Sequence, residues 1–192
     1  MPIEYIDEDH VATGSELIFP NVQSCAAVIA VYGSTMTAGG FHLTQGTAPA
    51  QVGVLCKHIA DTLGANAAAV YVIGDVARSN AKGIGGGATL FNALRTGFGF
   101  NGQIRYLQSS LSDMNGLAVQ FRRSQTYNLP EIRVAKPGEW TAGPSIMPSD
   151  LLYYVRNNNT LIQGTRFGKI PVTSATLKIS VNPVALGSLP AG

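Results

Sequence analysis

The sequence predicts an α+β fold: a layered, sandwich-like β-sheet core carrying two helices, with a C-terminal extension. Three observations predict it. Residues 26–32, Ala-Ala-Val-Ile-Ala-Val-Tyr, are continuously apolar and β-branched, as in a strand buried on both faces. Val52, Leu55, Ile59 and Leu63 recur at spacings of three and four, the mark of a helix with one apolar face. Beyond residue 124 the composition shifts to Pro, Gly and Asn, so the core element pattern stops there.

Taken in order, residues 1–14 are acidic and read as a loose N-terminal arm. Glu16 to Phe19 form a short apolar strand ending at Pro20, and residues 21–24 form a turn into the strand at 26–32. Residues 33–40 (Gly-Ser-Thr-Met-Thr-Ala-Gly-Gly) read as a flexible connection to a short strand at 41–44, paired in a hairpin-like way with 26–32. Pro49 suits the first turn of a helix that Gly64 closes. A buried strand follows at 67–73. A glycine-rich loop, 83–87, then leads into a helix at 88–96 with Leu90, Phe91 and Leu94 inward and Gly97 as cap. Two more strands, 103–107 and 117–122, flank a polar turn at 109–115. In the extension, Ser149 is placed to cap a helix over 150–156, and 175–181 reads as a strand. The expected organisation is an arm (1–14), a core (15–124) and an extension packed on it (125–192).

Composition narrows the function classes. With 192 residues, 45% hydrophobic and 12% charged, the chain has enough apolar surface for a full core and is not of disordered composition. The net charge of +2 and the scattered basic residues give no footprint for nucleic acid; Arg122-Arg123, the one adjacent arginine pair, reads as a solvated strand end. The longest apolar run is too short to span a bilayer, so no membrane partner is expected. The acidic N-terminus lacks a signal-peptide pattern, which points to a cytoplasmic protein or one exported without a cleavable signal. Two cysteines, Cys25 and Cys56, are too few for a disulfide framework or a structural zinc site, and no cofactor or metal is expected.

Among candidate constellations, Cys25 at the start of a buried strand and His42 seventeen residues later on the next strand form the leading one. A thiol attacks an amide with the help of an imidazole that takes its proton. By spacing alone the signal is weak, and a core cysteine with a satisfied histidine is the better reading of the pair. The 83–88 segment has the glycines of a phosphate cradle but lacks the Gly-Lys-Ser/Thr of a phosphate loop, and reads as a flexible connection. Cys56 and His58 are two residues apart on a helix and face different ways. His10, beside Asp7, Glu8 and Asp9, reads as a surface group, and no pair of carboxylates stands out.

Residues 24–28 (Ser-Cys-Ala-Ala-Val) followed by 39–43 (Gly-Gly-Phe-His-Leu) resemble the CheD family of chemotaxis-receptor glutamine deamidases. That family carries Gly-Ser-Cys-Val-Ala-Val, then a glycine-rich segment ending in His and a short apolar tail. The resemblance covers about residues 15–124, through the helix at 49–63 and the later element order. The same Cys-His scaffold is shared with the catalytic domain of cytotoxic necrotizing factor toxins. The resemblance implies Cys25 as nucleophile and His42 as general base. The chemotaxis family has a Thr six residues before the Cys, where this chain has Phe19, and a Leu-Gly-Leu-Gly where this chain has residues 20–23, Pro-Asn-Val-Gln. Ser15, Ser24 and Thr44 are therefore the side-chain candidates for orienting His42 or holding an oxyanion, with a backbone carbonyl, as in the toxin relatives, as the other choice.

The expected activity is hydrolysis of a glutamine side-chain amide on a protein substrate, in the manner of a secreted effector or toxin; an amine acceptor in place of water would give transglutamination. Two other readings stand beside it. One is a non-catalytic structural or interaction module of an assembly, and the other is a cysteine peptidase or amidase using the same dyad.

Overall fold

A computed structural model describes residues 3–33, 37–44, 47, 49–64, 66–81, 89–110, 116–124, 129–140, 152–155, 160–163 and 183–192. The glycine-rich segment at 83–87 and the strand expected at 175–181 lie outside the described residues. The fold is mixed α+β, with two β-sheets and a few helices.

The strands are β1 (Ile3–Tyr5), β2 (His10–Gly14), β3 (Glu16–Val22), β4 (Ala26–Tyr32), β5 (Thr37–Leu43), β6 (Ala69–Gly74), β7 (Arg105–Gln108), β8 (Leu117–Arg123), β9 (Pro130–Ala135), β10 (Leu152–Val155) and β11 (Thr160–Gln163). The helices are α1 (Pro49–Leu63), α2 (Val76–Ala81) and α3 (Leu90–Phe98). One sheet has the order β1-β3-β8-β9, and the other β11-β10-β2-β5-β4-β6-β7.

β4 shows why the sequence makes two layers. All seven of its residues are buried. Its odd residues, Ala27, Ile29 and Val31, join a core cluster shared with β3, β8 and β9 of the other sheet. Its even residues, Ala26, Val28, Ala30 and Tyr32, join a second cluster under α1 and α3. The two-residue period of a strand thus divides one apolar run between two cores. On α1, Val52, Leu55, Cys56 and Ile59 face the sheet and are buried; each fully buried aliphatic side chain contributes about 1.5–3 kcal/mol.

The glycines before His42 are packing residues of a strand. Residues 37–40 belong to β5, not to a flexible connection. A Cβ on Gly39 would lie 2.3 Å from Ile59 of α1, and one on Gly40 would lie 2.6 Å from the Phe19 ring. β5 is therefore pressed by a helix on one face and by β3 on the other, and only glycine fits at these two positions. Gly97 plays the same part inside α3, where a Cβ would lie 2.7 Å from Cys56 of α1. The helix consequently runs on to a left-handed cap at Gly99 rather than ending at Gly97.

Four other expectations are corrected. The N-terminal residues are not a loose arm: β1 runs parallel to β3 in one sheet and β2 antiparallel to β5 in the other, so this segment ties the sheets together. A third helix, α2, follows β6. β7 and β8 do not belong together, since β7 lies parallel to β6 while β8 pairs β3 in the other sheet. Residues 152–155, expected in a helix, form β10, which pairs both β2 and β11. In the 125–192 extension, β9, β10 and β11 continue the two sheets.

Candidate functional site

Cys25 ends the bend between β3 and β4, and its carbonyl accepts from the Asp75 amide at 2.9 Å. In the β4–β5 ladder, Ala27 pairs with His42. Cys25 lies two residues before Ala27, in the bend that leads into β4. Cys25 is 4% exposed and His42 is fully buried.

The N-terminal turn completes the site. Glu8 forms a parallel bridge with His42, and its Oε1 accepts a hydrogen bond from the Cys25 thiol at 3.7 Å. His42 Nδ1 lies 3.3 Å from the Ile6 carbonyl oxygen. A carbonyl only accepts, so Nδ1 carries the proton and Nε2 presents its lone pair. That Nε2 is buried and has no hydrogen-bond partner among the described residues, so no hydrogen bond joins it to Cys25. Burial pushes the His42 imidazole down to about 4; the Ile6 carbonyl opposes this shift and His10 adds to it. The resting site therefore holds a neutral imidazole, not an imidazolium paired with a thiolate.

Asp9 anchors this turn. It has a left-handed φ of 62°, its amide donates to the His42 carbonyl at 3.0 Å, and its Oδ1 accepts from the Thr44 hydroxyl at 2.7 Å. Thr44 thereby helps to hold the turn rather than touching the imidazole. Ser15 sits between β2 and β3, at the opposite end of β3 from Cys25. Ser24, beside Cys25, is half-buried and lines a 380 Å³ cavity with Gln23, Asp75, Arg78, Gln108, Ser109 and Ser110. The hydrogen-bond partner of the His42 ring is thus the backbone carbonyl of Ile6. The Phe19 ring is fully buried against Gly40, two residues from His42 on the same face of β5.

His10 is not a surface group. It lies one position beyond the Val11–Phe41 pair of β2 and β5, which sets it across from His42, and it is fully buried. Its Nδ1 is 2.8 Å from the Glu8 carbonyl oxygen, and burial lowers its basicity. The acidic neighbours in sequence concealed this. The β-branched Val11 and Thr13 were the available signal, but a five-residue strand gives them little weight.

Cys56 lies in the other core, fully buried between α1 and α3. Burial pushes its thiol up. His58, two residues on, is half-buried, and Thr62 donates to its carbonyl. Among the described residues no group of three or more His, Cys, Asp or Glu side chains could hold a metal ion, and no helix is long and apolar enough to cross a membrane. No family model matches the chain, and no curated protein matches it.

Proposed function

We propose that the protein is a thiol-dependent amidohydrolase, a glutamine deamidase acting on a protein substrate, with Cys25 as nucleophile and His42 as base on a CheD-like, sandwich-like scaffold. The observation that carries this reading is the fixed tautomer of His42. Its Nδ1–H is committed to the Ile6 carbonyl, and its buried Nε2 makes no hydrogen bond among the described residues. A base for a thiol needs this arrangement: one nitrogen held by an orienting acceptor, the other open to the proton.

The chemistry follows in two steps. Rotation about the Cys25 Cα–Cβ bond carries Sγ from Glu8 toward His42. The thiol proton passes to Nε2 as sulfur bonds to the carboxamide carbon. A neutral resting imidazole makes this transfer concerted with attack. The C–N bond then breaks, and the proton on Nε2 leaves with the nitrogen as ammonia. Water, deprotonated by Nε2, attacks the thioester, which releases glutamate and restores the thiol. The test is ammonia release from a glutamine-bearing protein by the wild type and by Cys25→Ala. Loss of release in the variant supports the reading, and full retention overturns it.

A second reading, a non-catalytic interaction module with an inert Cys-His pair, draws on the 4% exposure of Cys25 and the lowered basicity of His42. It expects no ammonia release and a Cys25 thiol that reacts no differently when His42 is replaced.

A further inference from the structure

Glu8 has no counterpart in the two-residue dyad, yet its side chain accepts a hydrogen bond from the sulfur. Its Oε1 accepts from Cys25 Sγ at 3.7 Å, and its backbone bridges to His42. It is half-buried, whereas Cys25 is 4% exposed. Its position is fixed on both sides: its amide donates to Asp7 Oδ1 at 2.9 Å, and its carbonyl accepts from His10 Nδ1 at 2.8 Å.

A carboxylate placed there distinguishes two groups of nearly equal size. A carboxamide offers an –NH2 with two donors, and a carboxylate accepts them. A glutamate side chain offers only acceptor oxygens and a like charge. When Sγ swings away to attack, Glu8 loses the thiol hydrogen bond, and the substrate –NH2 replaces it. When the amide has become an acid, the same carboxylate repels it.

We infer that Glu8 is the specificity-determining residue of this site, taking the –NH2 of a neutral primary carboxamide and expelling the carboxylate product. This rests on the deamidase reading for its biological substrate, but its test does not. Iodoacetamide and iodoacetate are a carboxamide and a carboxylate of the same shape, and both alkylate a thiol without enzymatic turnover. Their rates at Cys25 are read by mass spectrometry of the intact chain's Cys25 peptide, relative to free cysteine. Like charges about 4 Å apart in a partly desolvated site discriminate by about tenfold or more. The wild type is expected to favour iodoacetamide over iodoacetate by at least about tenfold beyond free cysteine. Glu8→Gln is expected to bring the ratio back within about threefold of free cysteine, and Glu8→Ala to do the same without adding a donor. An unchanged ratio in both variants overturns the inference. If the ratio collapses as expected but no glutamine-bearing protein yields ammonia, the deamidase reading fails and the carboxamide filter stands. If ammonia release depends on Cys25 but the ratio does not move, only the role of Glu8 fails.

Discussion

The two cysteines occupy opposite faces of the same seven-stranded sheet, and the contrast between them is chemical rather than one of depth. Cys56 lies among Val52, Leu55, Ile59 and Leu94, pressed against Gly97 of the neighbouring helix. Cys25 is almost as deeply buried, but its thiol donates to the Glu8 carboxylate, and Glu8 bridges through its backbone to His42. Burial in an apolar cluster makes a thiol a small hydrophobe, whereas burial beside a base makes it a candidate nucleophile. Polar groups at the Cys25 end cost desolvation, and hydrogen bonds to the turn at residues 6–10 offset part of it.

The contrast can be broken at either end. The largest effect is expected on activity: Cys25→Ala abolishes ammonia release, while Cys56→Ala retains it and instead lowers the urea midpoint. Next, His42→Gln lowers the deamidation rate by about 10²–10⁴-fold, the usual worth of a positioned base. A steady-state assay with the same glutamine-bearing protein checks both. On the structural side, Gly97→Ala places a methyl group against Cys56 and destabilises by about 1–3 kcal/mol in urea unfolding. It leaves Cys25 chemistry intact in whatever fraction is folded.

The buried histidine also predicts a pH dependence. His42 titrates near 4 when folded and near 6.5 when unfolded. Between these values the unfolded chain binds more protons, so stability is full above about 6.5 and falls as pH drops toward 4. For this group the loss at pH 5 is about 2 kcal/mol. His10 shifts in the same direction and adds to the loss. Urea midpoints between pH 7.5 and 5 should fall for the wild type, and less steeply for His42→Gln. The smallest effect is expected on the solvent side of α1. Lys57 and Asp61 form an ion pair at 2.6 Å but are 73% and 61% exposed, so Lys57→Ala should move stability by no more than about 0.5 kcal/mol.

The same contrast explains what the sequence could reveal. α1 was legible from end to end, because Pro49, the three-and-four spacing and Gly64 all report on one local element. β4 was legible because burial on both faces writes itself as an unbroken apolar run. Local signals failed where a distant partner decides. Residues 37–40 look like a linker until Ile59 and Phe19 are seen to need the space. Residues 152–155 follow a plausible helix cap, but pairing with β2 and β11 makes them a strand. In the candidate site, the pairing of β4 with the strand that carries His42 was legible, and Cys25 lies in the bend just before β4. Ile6, Glu8 and His10 were not, because an acidic stretch gives no sign that it will cross from one sheet to the other and close over a thiol.

The central claim is that His42 governs the reactivity of Cys25. The most direct measurement is the rate of iodoacetamide alkylation at each cysteine near neutral pH, resolved by mass spectrometry, in the wild type and in His42→Gln. Cys25 should react faster than Cys56 in the wild type, and His42→Gln should slow Cys25 by about tenfold or more while leaving Cys56 unchanged. Equal rates at the two thiols, or a Cys25 rate indifferent to His42, would contradict it.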